Sequence, residues 1–340
     1  MKTLTIIIPT YNMDKYLRRC LDSLIIDEEG MKQLEVLVIN DGSKDSSSQI
    51  AHEYENNYPD TFRVIDKENG NYGSCINKGL KEASGKYIKV LDADDFFDIF
   101  SFSNYLKYIK SRNEDLIITD FNIVNENQKV VKRYIANMIS DHIYYIKDIQ
   151  NTNLFEVMMH GFTYRTQLLR EIKYHQTEGI SYTDQQWVCI PFLNVRTISY
   201  CPCNLYQYLI GREGQTMEFD IRIKKTNDYL TLLFDMVIIY ERFKNERCNE
   251  NVLMVKNRIL FLIKDVYRMI FFVGNDVSML SLARFEEKIK DRSKDIYNSS
   301  NNISIANKIN FKFIKYWRRN NYKRISFLQY IYKCYLKIFK

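Results

Sequence analysis

Four short β-branched runs dominate the first hundred residues, each followed by a polar turn and the first three then by helical periodicity, and this alternation leaves few folds open. Residues 4–8 end at Pro9 and give way to residues 14–26, where Tyr16, Leu17, Leu21, Leu24 and Ile25 recur at helical spacing. Residues 34–39 repeat the strand signal, Asp41-Gly42-Ser43 supplies a turn, and residues 46–54 give a weaker helix. Residues 62–65, a helix over 74–83 and a strand over 87–91 continue the series. Strands alternating with helices of about ten residues predict a parallel sheet covered on both faces. Such sheets bind ligands beyond the carboxyl ends of their strands. Pro9-Thr10-Tyr11-Asn12, Asn40-Asp41-Gly42-Ser43, Lys67-Glu68-Asn69-Gly70 and Asp92-Ala93-Asp94-Asp95 all fall at that edge.

Past residue 100 the alternation weakens. Residues 116–124 and 129–134, separated by Asn125-Glu126-Asn127, read as a hairpin, and residues 198–209 contain further short strands; this middle part is expected to face a second substrate. Beyond residue 217 all prolines and all glycines but Gly274 are gone, and Leu230, Leu233, Met236 and Ile239 keep helical spacing. The expected division is 1–100, 101–217 and a helical 218–340. The most apolar stretch, 259–273, is interrupted by Lys264, Asp265 and Arg268, so no membrane span is expected.

A chain of 340 residues with 46% hydrophobic and 27% charged residues can bury a large core, which excludes disorder as the default. Seven scattered cysteines without disulfide spacing, and no leader ahead of them, predict a reducing cytoplasmic location. Cys201-Pro202-Cys203 lacks a second Cys or His pair at zinc spacing and reads as buried or half-buried thiols.

The acids at 92–95 follow a buried-strand pattern, so three carboxylates gather where a strand surfaces. Hard divalent cations take oxygen ligands, and a site with one or two protein carboxylates leaves positions for substrate phosphates. An isolated Asp-x-Asp would be read as a solvated loop; its place in the series of strand-and-loop units makes it informative.

The first 100 residues resemble a family-2 glycosyltransferase. The matching features are Ile6-Ile7-Ile8-Pro9-Thr10-Tyr11-Asn12, the run from Val38 through Asn40-Asp41-Gly42-Ser43 to Ser46, Glu68-Asn69-Gly70, Gly73-Ser74 with Asn77 and Gly79, and Leu91 with the acids that follow it. Further support extends to about Met217. The resemblance implies an α/β, GT-A-like, Rossmann-type and mainly parallel sheet flanked by helices, with a helical C-terminal subdomain. It implies a metal-dependent, inverting transfer of a sugar from a nucleotide donor, UDP-linked, to a hydroxyl of a glycan acceptor, lipid-linked, in surface polysaccharide synthesis.

Carried onto this sequence, Pro9, Thr10, Tyr11, Asn12, Asp41, Asn69, Gly70 and Asn77 would line the nucleotide, with Asp41 accepting from the uracil N3–H. Asp92, with Ala93, would contact the donor ribose or support the metal shell, and Asp94 would be the principal ligand of Mn²⁺ or Mg²⁺. Asp184, in Gly179-Ile180-Ser181-Tyr182-Thr183-Asp184-Gln185-Gln186-Trp187, would be the catalytic base, although Thr183 stands where relatives carry Glu. Arg212, in Gly211-Arg212-Glu213-Gly214, would reach the diphosphate from a closing loop. Each has a plainer reading: Asp41 as a turn residue, Asp184 as a helix N-cap ahead of residues 185–192, the 209–216 segment as a linker. His160 is a weaker candidate for acceptor or metal contact and reads first as a core or rim histidine. Rival functions are a sugar nucleotidyltransferase and a nonenzymatic membrane or nucleic-acid binding protein.

The net charge of +7 is concentrated at one end: residues 301–340 hold ten Lys or Arg and no acid. Interleaved aromatics such as Phe313, Trp317, Phe327 and Tyr330 suit an anionic membrane surface, with Lys333, Lys337 and Lys340 on one helical face. The expected place is therefore the inner face of the cell membrane, with nucleic acid as the competing polyanion rather than an expected partner.

Overall fold

The computed structural model describes residues 2–149, 158–212, 215, 219–246, 249–306, 309–323 and 325–330. Two units are distinguished, Met1–Glu213 and Gly214–Lys340.

In the first unit, β1 (Leu4–Thr10) is buried at every position, as a strand covered on both faces must be. It is followed by α1 (Asp14–Asp22), α2 (Glu28–Gln33), β2 (Leu34–Asn40), α3 (Ser47–Asn57), β3 (Phe62–Asp66), α4 (Asn71–Glu82) and β4 (Tyr87–Val90). These give the parallel half, with Thr10 opposite Asn40 and Asn40 opposite Asp66. Helix α1 turns Leu17, Cys20 and Leu21 inward. Helix α4 lies so close on β1 that a Cβ on Gly79 would come within 2.6 Å of Ile7.

The middle part adds β5 (Phe96–Phe97), α5 (Ile99–Lys110), β6 (Leu116–Val124), β7 (Val130–Tyr134), β8 (Ile143–Tyr145), β9 (Phe162–Arg165), α6 (Thr166–Glu171), α7 (Asp184–Cys189) and β10 (Thr197–Leu209). One ten-stranded sheet results, in the order β3-β2-β1-β4-β9-β6-β10-β5, with β7 on β6 and β8 on β10. The longest registers are parallel; the antiparallel pairings, including β4 with β9 and β9 with β6, are short. The sheet is thus mainly parallel, as the sequence implied.

The short strands expected over 198–209 are one thirteen-residue strand whose register shifts between Cys201 and Asn204 and again before Tyr206. Pro202, which lacks an N–H, sits in the first irregularity. Cys201 is buried, and its Sγ lies 3.6 Å from that of the half-buried Cys203. Helix α5 has no counterpart in the sequence reading; Asp98 caps it by accepting from the Ser101 N–H at 2.9 Å.

The second unit is helical: α8 (Phe219–Lys224), α9 (Thr226–Phe243), α10 (Asn249–Val273), α11 (Asp276–Arg292), α12 (Lys294–Ser300) and α13 (Phe313–Arg319). Asn275 and Ser293 cap α11 and α12 through the backbone N–H groups of Ser278 and Ile296. Tyr267, Phe271, Phe285, Phe313 and Trp317 meet edge to face in its core. Arg318 reaches the fully buried Glu286 with Nε at 2.6 Å and Nη2 at 2.7 Å.

Phe313, Trp317 and Arg318 are therefore core residues, whereas Tyr316, Phe327 and Tyr330 are exposed. Lys308, Arg324, Lys333, Lys337 and Lys340 lie outside the described residues. No described helix is long and apolar enough to cross a membrane.

Candidate active site

Because β1, β2 and β4 run parallel, their carboxyl ends deliver three loops to one edge of the sheet. The first two are laced together. The Asn12 N–H donates to Ser43 Oγ at 3.1 Å, and Asn12 Oδ1 accepts from the Lys44 N–H at 2.8 Å. Asn12 adopts φ +53°, which an Asn tolerates better than most residues. Thr10 is buried, while Tyr11 is half exposed at the rim. Pro9 lies within β1, opposite Ile39.

Asp41 sits buried at the tip of β2, and its N–H donates to Thr10 O at 2.8 Å. Its Oδ1 accepts from Lys67 Nζ and from the Gly70 N–H at 2.9 Å, while Asn69 Nδ2 donates to Asp41 O at 3.0 Å. Lys67 also donates to Ser74 Oγ at 2.9 Å. Asp41 is thus more than a turn residue: it ties the first turn of α4 to β2.

The same turn of α4 presents Tyr72, whose hydroxyl donates to Asp92 Oδ1 at 2.8 Å. Around Asp92 three further carboxylates gather. Burial, then Asp94 and Asp184, push the Asp92 carboxyl up to about 7, while the Tyr72 bond and Arg212 oppose the rise. Burial, Asp94 and Asp92 hold the Asp95 carboxyl well above the usual range. Asp95 spends both oxygens inside, accepting from Tyr206 Oη at 2.7 Å and from the Leu209 N–H at 2.7 Å. It pins β10 beneath the site. Tyr206 Oη in turn accepts from the Asp92 N–H at 3.1 Å, and Ala93 is buried between these acids.

Asp94 forms an ion pair with Arg212 Nε, and Arg19 Nη2 donates to Asp94 O at 2.8 Å. The Arg212 guanidinium also lies 5.7 Å from the Tyr16 ring centre. Segment 211–212 therefore closes onto the carboxylate edge rather than serving as a linker alone, and Gly211 at φ +92° allows the bend.

Asp184 is the first residue of α7, not its N-cap; Thr183 occupies the cap position without a capping side-chain bond. Gln185 Nε2 donates to Asp184 Oδ2 at 2.6 Å. The Asp184 charge raises the Asp92 carboxyl and the Tyr208 hydroxyl, so it shares their surroundings. The segment before α7 is strapped to α4. Asn77 Nδ2 donates to Gln176 O and Glu178 Oε1, each at 2.8 Å, and Asn77 Oδ1 accepts from the Gln176 N–H at 2.8 Å. Asn77, placed by the sequence at the nucleotide, is engaged by this strap. A Cβ on Gly73 would lie 2.0 Å from Thr177 O, so the strap also requires a glycine in α4.

His160 is buried among Phe121, Tyr206 and Tyr208, with ring centres 4.5–5.1 Å away. Burial and Lys89 depress its pKa to about 3. Its Nδ1 has no hydrogen-bond partner, and one of its ring nitrogens lies within 4.8 Å of oxygens of Asp92 and Asp95. Lys89, fully buried on β4, donates to His160 O at 2.6 Å, and burial lowers its pKa to about 7. Tyr72, Lys67, Lys89 and Tyr206 were not singled out from sequence; only Lys67 carried a signal, standing one residue past a strand at the ligand edge.

The donor set fits a hard divalent cation. It is oxygen-rich, with the carboxylates of Asp92 and Asp94 at the end of β4, and a cation on Asp94 would displace the Arg212 guanidinium now paired with it.

Comparison with known proteins adds independent information. The model of Glycosyl transferase family 2 matches residues 5–173. The chain is 38% identical over 144 residues, 41% of its length and 47% of the relative's, to an uncharacterized glycosyltransferase of Mycoplasma genitalium. It is 26% identical over 221 residues, 64% of its length and 37% of the relative's, to the poly(ribitol-phosphate) beta-N-acetylglucosaminyltransferase TarS of Staphylococcus aureus. The chain thus spans less than half the length of either relative. The crystal structure of S. aureus TarS 1-349 in complex with UDP superposes with a TM-score of 0.65 at 19% identity, over 99% of this chain and 92% of that one. At that identity the likeness establishes the fold. A mannosyltransferase from Pyrobaculum calidifontis in complex with GDP-Man and Mn²⁺ shares it with a TM-score of 0.51 at 13% identity.

Proposed function

Because this chain belongs to glycosyltransferase family 2 through residues 5–173, we propose that it transfers a sugar, with inversion, from a UDP donor to a hydroxyl of a surface glycan or teichoic-acid-type polymer. The observation that carries the reading is the convergence at the end of β4, where Asp92 lies in the field of both Asp94 and Asp184 although the third is ninety-odd residues away in sequence.

The surroundings support the following roles. A carboxylate accepts up to about four hydrogen bonds, so Asp41 keeps capacity for a uracil N3–H beyond its Lys67 and Gly70 bonds. Asp94 and Asp92 would hold Mn²⁺ or Mg²⁺, which when bound neutralises charge on the departing diphosphate. Arg212 offers a planar fork suited to diphosphate oxygens, and its segment excludes water when it closes. Asp184 takes the proton of the acceptor hydroxyl as that oxygen attacks the anomeric carbon from the face opposite the diphosphate. The bond from the anomeric carbon to the diphosphate breaks, and UDP leaves.

TarS is named for N-acetylglucosaminyl transfer to poly(ribitol phosphate), which supports a UDP-N-acetylhexosamine donor here. A lipid-borne acceptor and attachment to the inner membrane face through the basic C-terminal end complete the proposal.

The test is a panel of nucleotide sugars with Mn²⁺ or Mg²⁺, with and without lipid-linked glycan acceptors. Acceptor-dependent release of UDP and a product of inverted anomeric configuration are expected. Release of pyrophosphate instead of UDP would establish a nucleotidyltransferase and overturn the proposal.

A further inference from the structure

Strand β7 is unlike the rest of the sheet, because it is exposed on both faces. An antiparallel strand ordinarily buries one of its faces. Here Val130 and Val131, at a register shift in the pairing with β6, are both exposed, Val131 to 58%, as are the successive residues Lys132 and Arg133. The chain continues through Ile135, exposed to 56%, and Ile139, to 72%.

The arm is nonetheless built and anchored. Its turn is fixed by Asn125 Oδ1, which accepts from the N–H groups of Asn127 and Lys129 at 3.1 and 3.0 Å. At its base Tyr134 stacks on Phe121 with ring centres 4.6 Å apart, and the buried Ala136 donates its N–H to Asp120 Oδ1 at 3.0 Å. Between these anchors, and at Ile139 just beyond them, the aliphatic side chains are exposed.

Charge indicates what covers them. Lys129, Lys132 and Arg133 lie on the arm against a single acid, Glu126, at its turn. Asp141, just past the arm, is bonded to Arg112 at 2.6 Å. A second copy meeting the same arm by two-fold symmetry would set these cations against one another. A nucleic acid would answer the cations but not the aliphatics. An anionic lipid surface answers both, with cations at the headgroups and aliphatics in the interfacial layer.

The arm's base also adjoins the carboxylate site. Phe121, under Tyr134, has its ring centre 5.1 Å from that of His160, which neighbours Asp92 and Asp95.

We infer that the arm formed by residues 125–140 docks the catalytic unit on an anionic membrane and turns the acceptor side of the cleft toward the lipid. The inference deepens the proposal of a membrane-borne acceptor and assigns contact to a surface distinct from the C-terminal end.

The experiment is flotation of the full chain with vesicles of phosphatidylcholine alone or mixed with phosphatidylglycerol. The variants are Lys129→Gln/Lys132→Gln/Arg133→Gln, Val131→Ser/Ile135→Ser/Ile139→Ser and, for comparison, Lys333→Gln/Lys337→Gln/Lys340→Gln. UDP binding and oligomeric state are measured on each. The charge variant is expected to lower partitioning onto anionic vesicles by on the order of a hundredfold. The aliphatic variant should lower it too, with UDP binding retained in both. Flotation that is lost only in the C-terminal variant overturns the arm while leaving a membrane-borne acceptor standing. Absence of flotation by the unmodified chain overturns both. A dimer that the arm variants convert to monomer overturns the inference in favour of a second copy.

Discussion

Tyr72→Phe removes one oxygen and leaves the ring in place, so it isolates the bond to Asp92 Oδ1 at 2.8 Å. Hydrogen bonds to charged groups contribute about 1.5–3 kcal/mol. Asp92 keeps some solvent exposure, which favours the lower half of that range, or roughly ten- to fortyfold in an equilibrium. The sign of the pH dependence is fixed. Burial, Asp94 and Asp184 raise the Asp92 carboxyl to about 7, and the Tyr72 bond opposes them. Without that bond the carboxyl moves higher and is more often protonated near neutrality, where a protonated acid does not ligate a cation. Apparent Mn²⁺ affinity and kcat/KM should therefore both fall, more at pH 6.5 than at pH 8.5, with the melting temperature little changed. A loss that is equal across this range, or that leaves Mn²⁺ affinity untouched, would refute the reasoning.

Other consequences concern stability. Arg318→Met leaves Glu286 fully buried without its guanidinium, a change that costs about 3–5 kcal/mol in comparable buried pairs; a denaturant-midpoint change equivalent to less than about 1 kcal/mol would contradict the buried pairing. Lys89 has a folded pKa near 7, whereas its unfolded value is near 10.4. Between these values the unfolded chain binds more protons, so the Lys89 contribution to stability rises with pH. Urea midpoints of the parent should climb relative to Lys89→Met from pH 7 to 9; parallel curves would show that Lys89 is not desolvated.

The strand–helix series over residues 1–100 was legible because each strand is a local apolar run and each turn carries its own punctuation. The acids at the end of β4 were legible for the same reason. What was not legible depends on distant pairing. Tyr206 Oη meets Asp95 across 111 residues, and Arg212 meets Asp94 across 118. Neither partner carries a local pattern that announces the other. Asn77 reads as a nucleotide residue by its place in the motif, yet its amide is consumed by the 176–178 strap, which the sequence reading did not anticipate. Likewise α5 was missed because its aromatic and polar residues blur the apolar stripe, although Asp98 and Ser101 form an ordinary cap. In the basic end, spacing could not separate Arg318, committed to Glu286, from cations available to a partner.

The central claim is that the converging carboxylates divide the work, Asp94 serving the donor's diphosphate and Asp184 the acceptor's proton. It is tested most directly by measuring UDP-sugar binding and single-turnover transfer on Asp94→Ala and Asp184→Asn. Asp184→Asn should bind donor as the parent does, within about twofold, while transfer falls by the 10²–10⁴ typical of a lost general base; Asp94→Ala should lose Mn²⁺-dependent donor binding. Normal transfer by Asp184→Asn, or metal-dependent binding that survives in Asp94→Ala, would contradict the account.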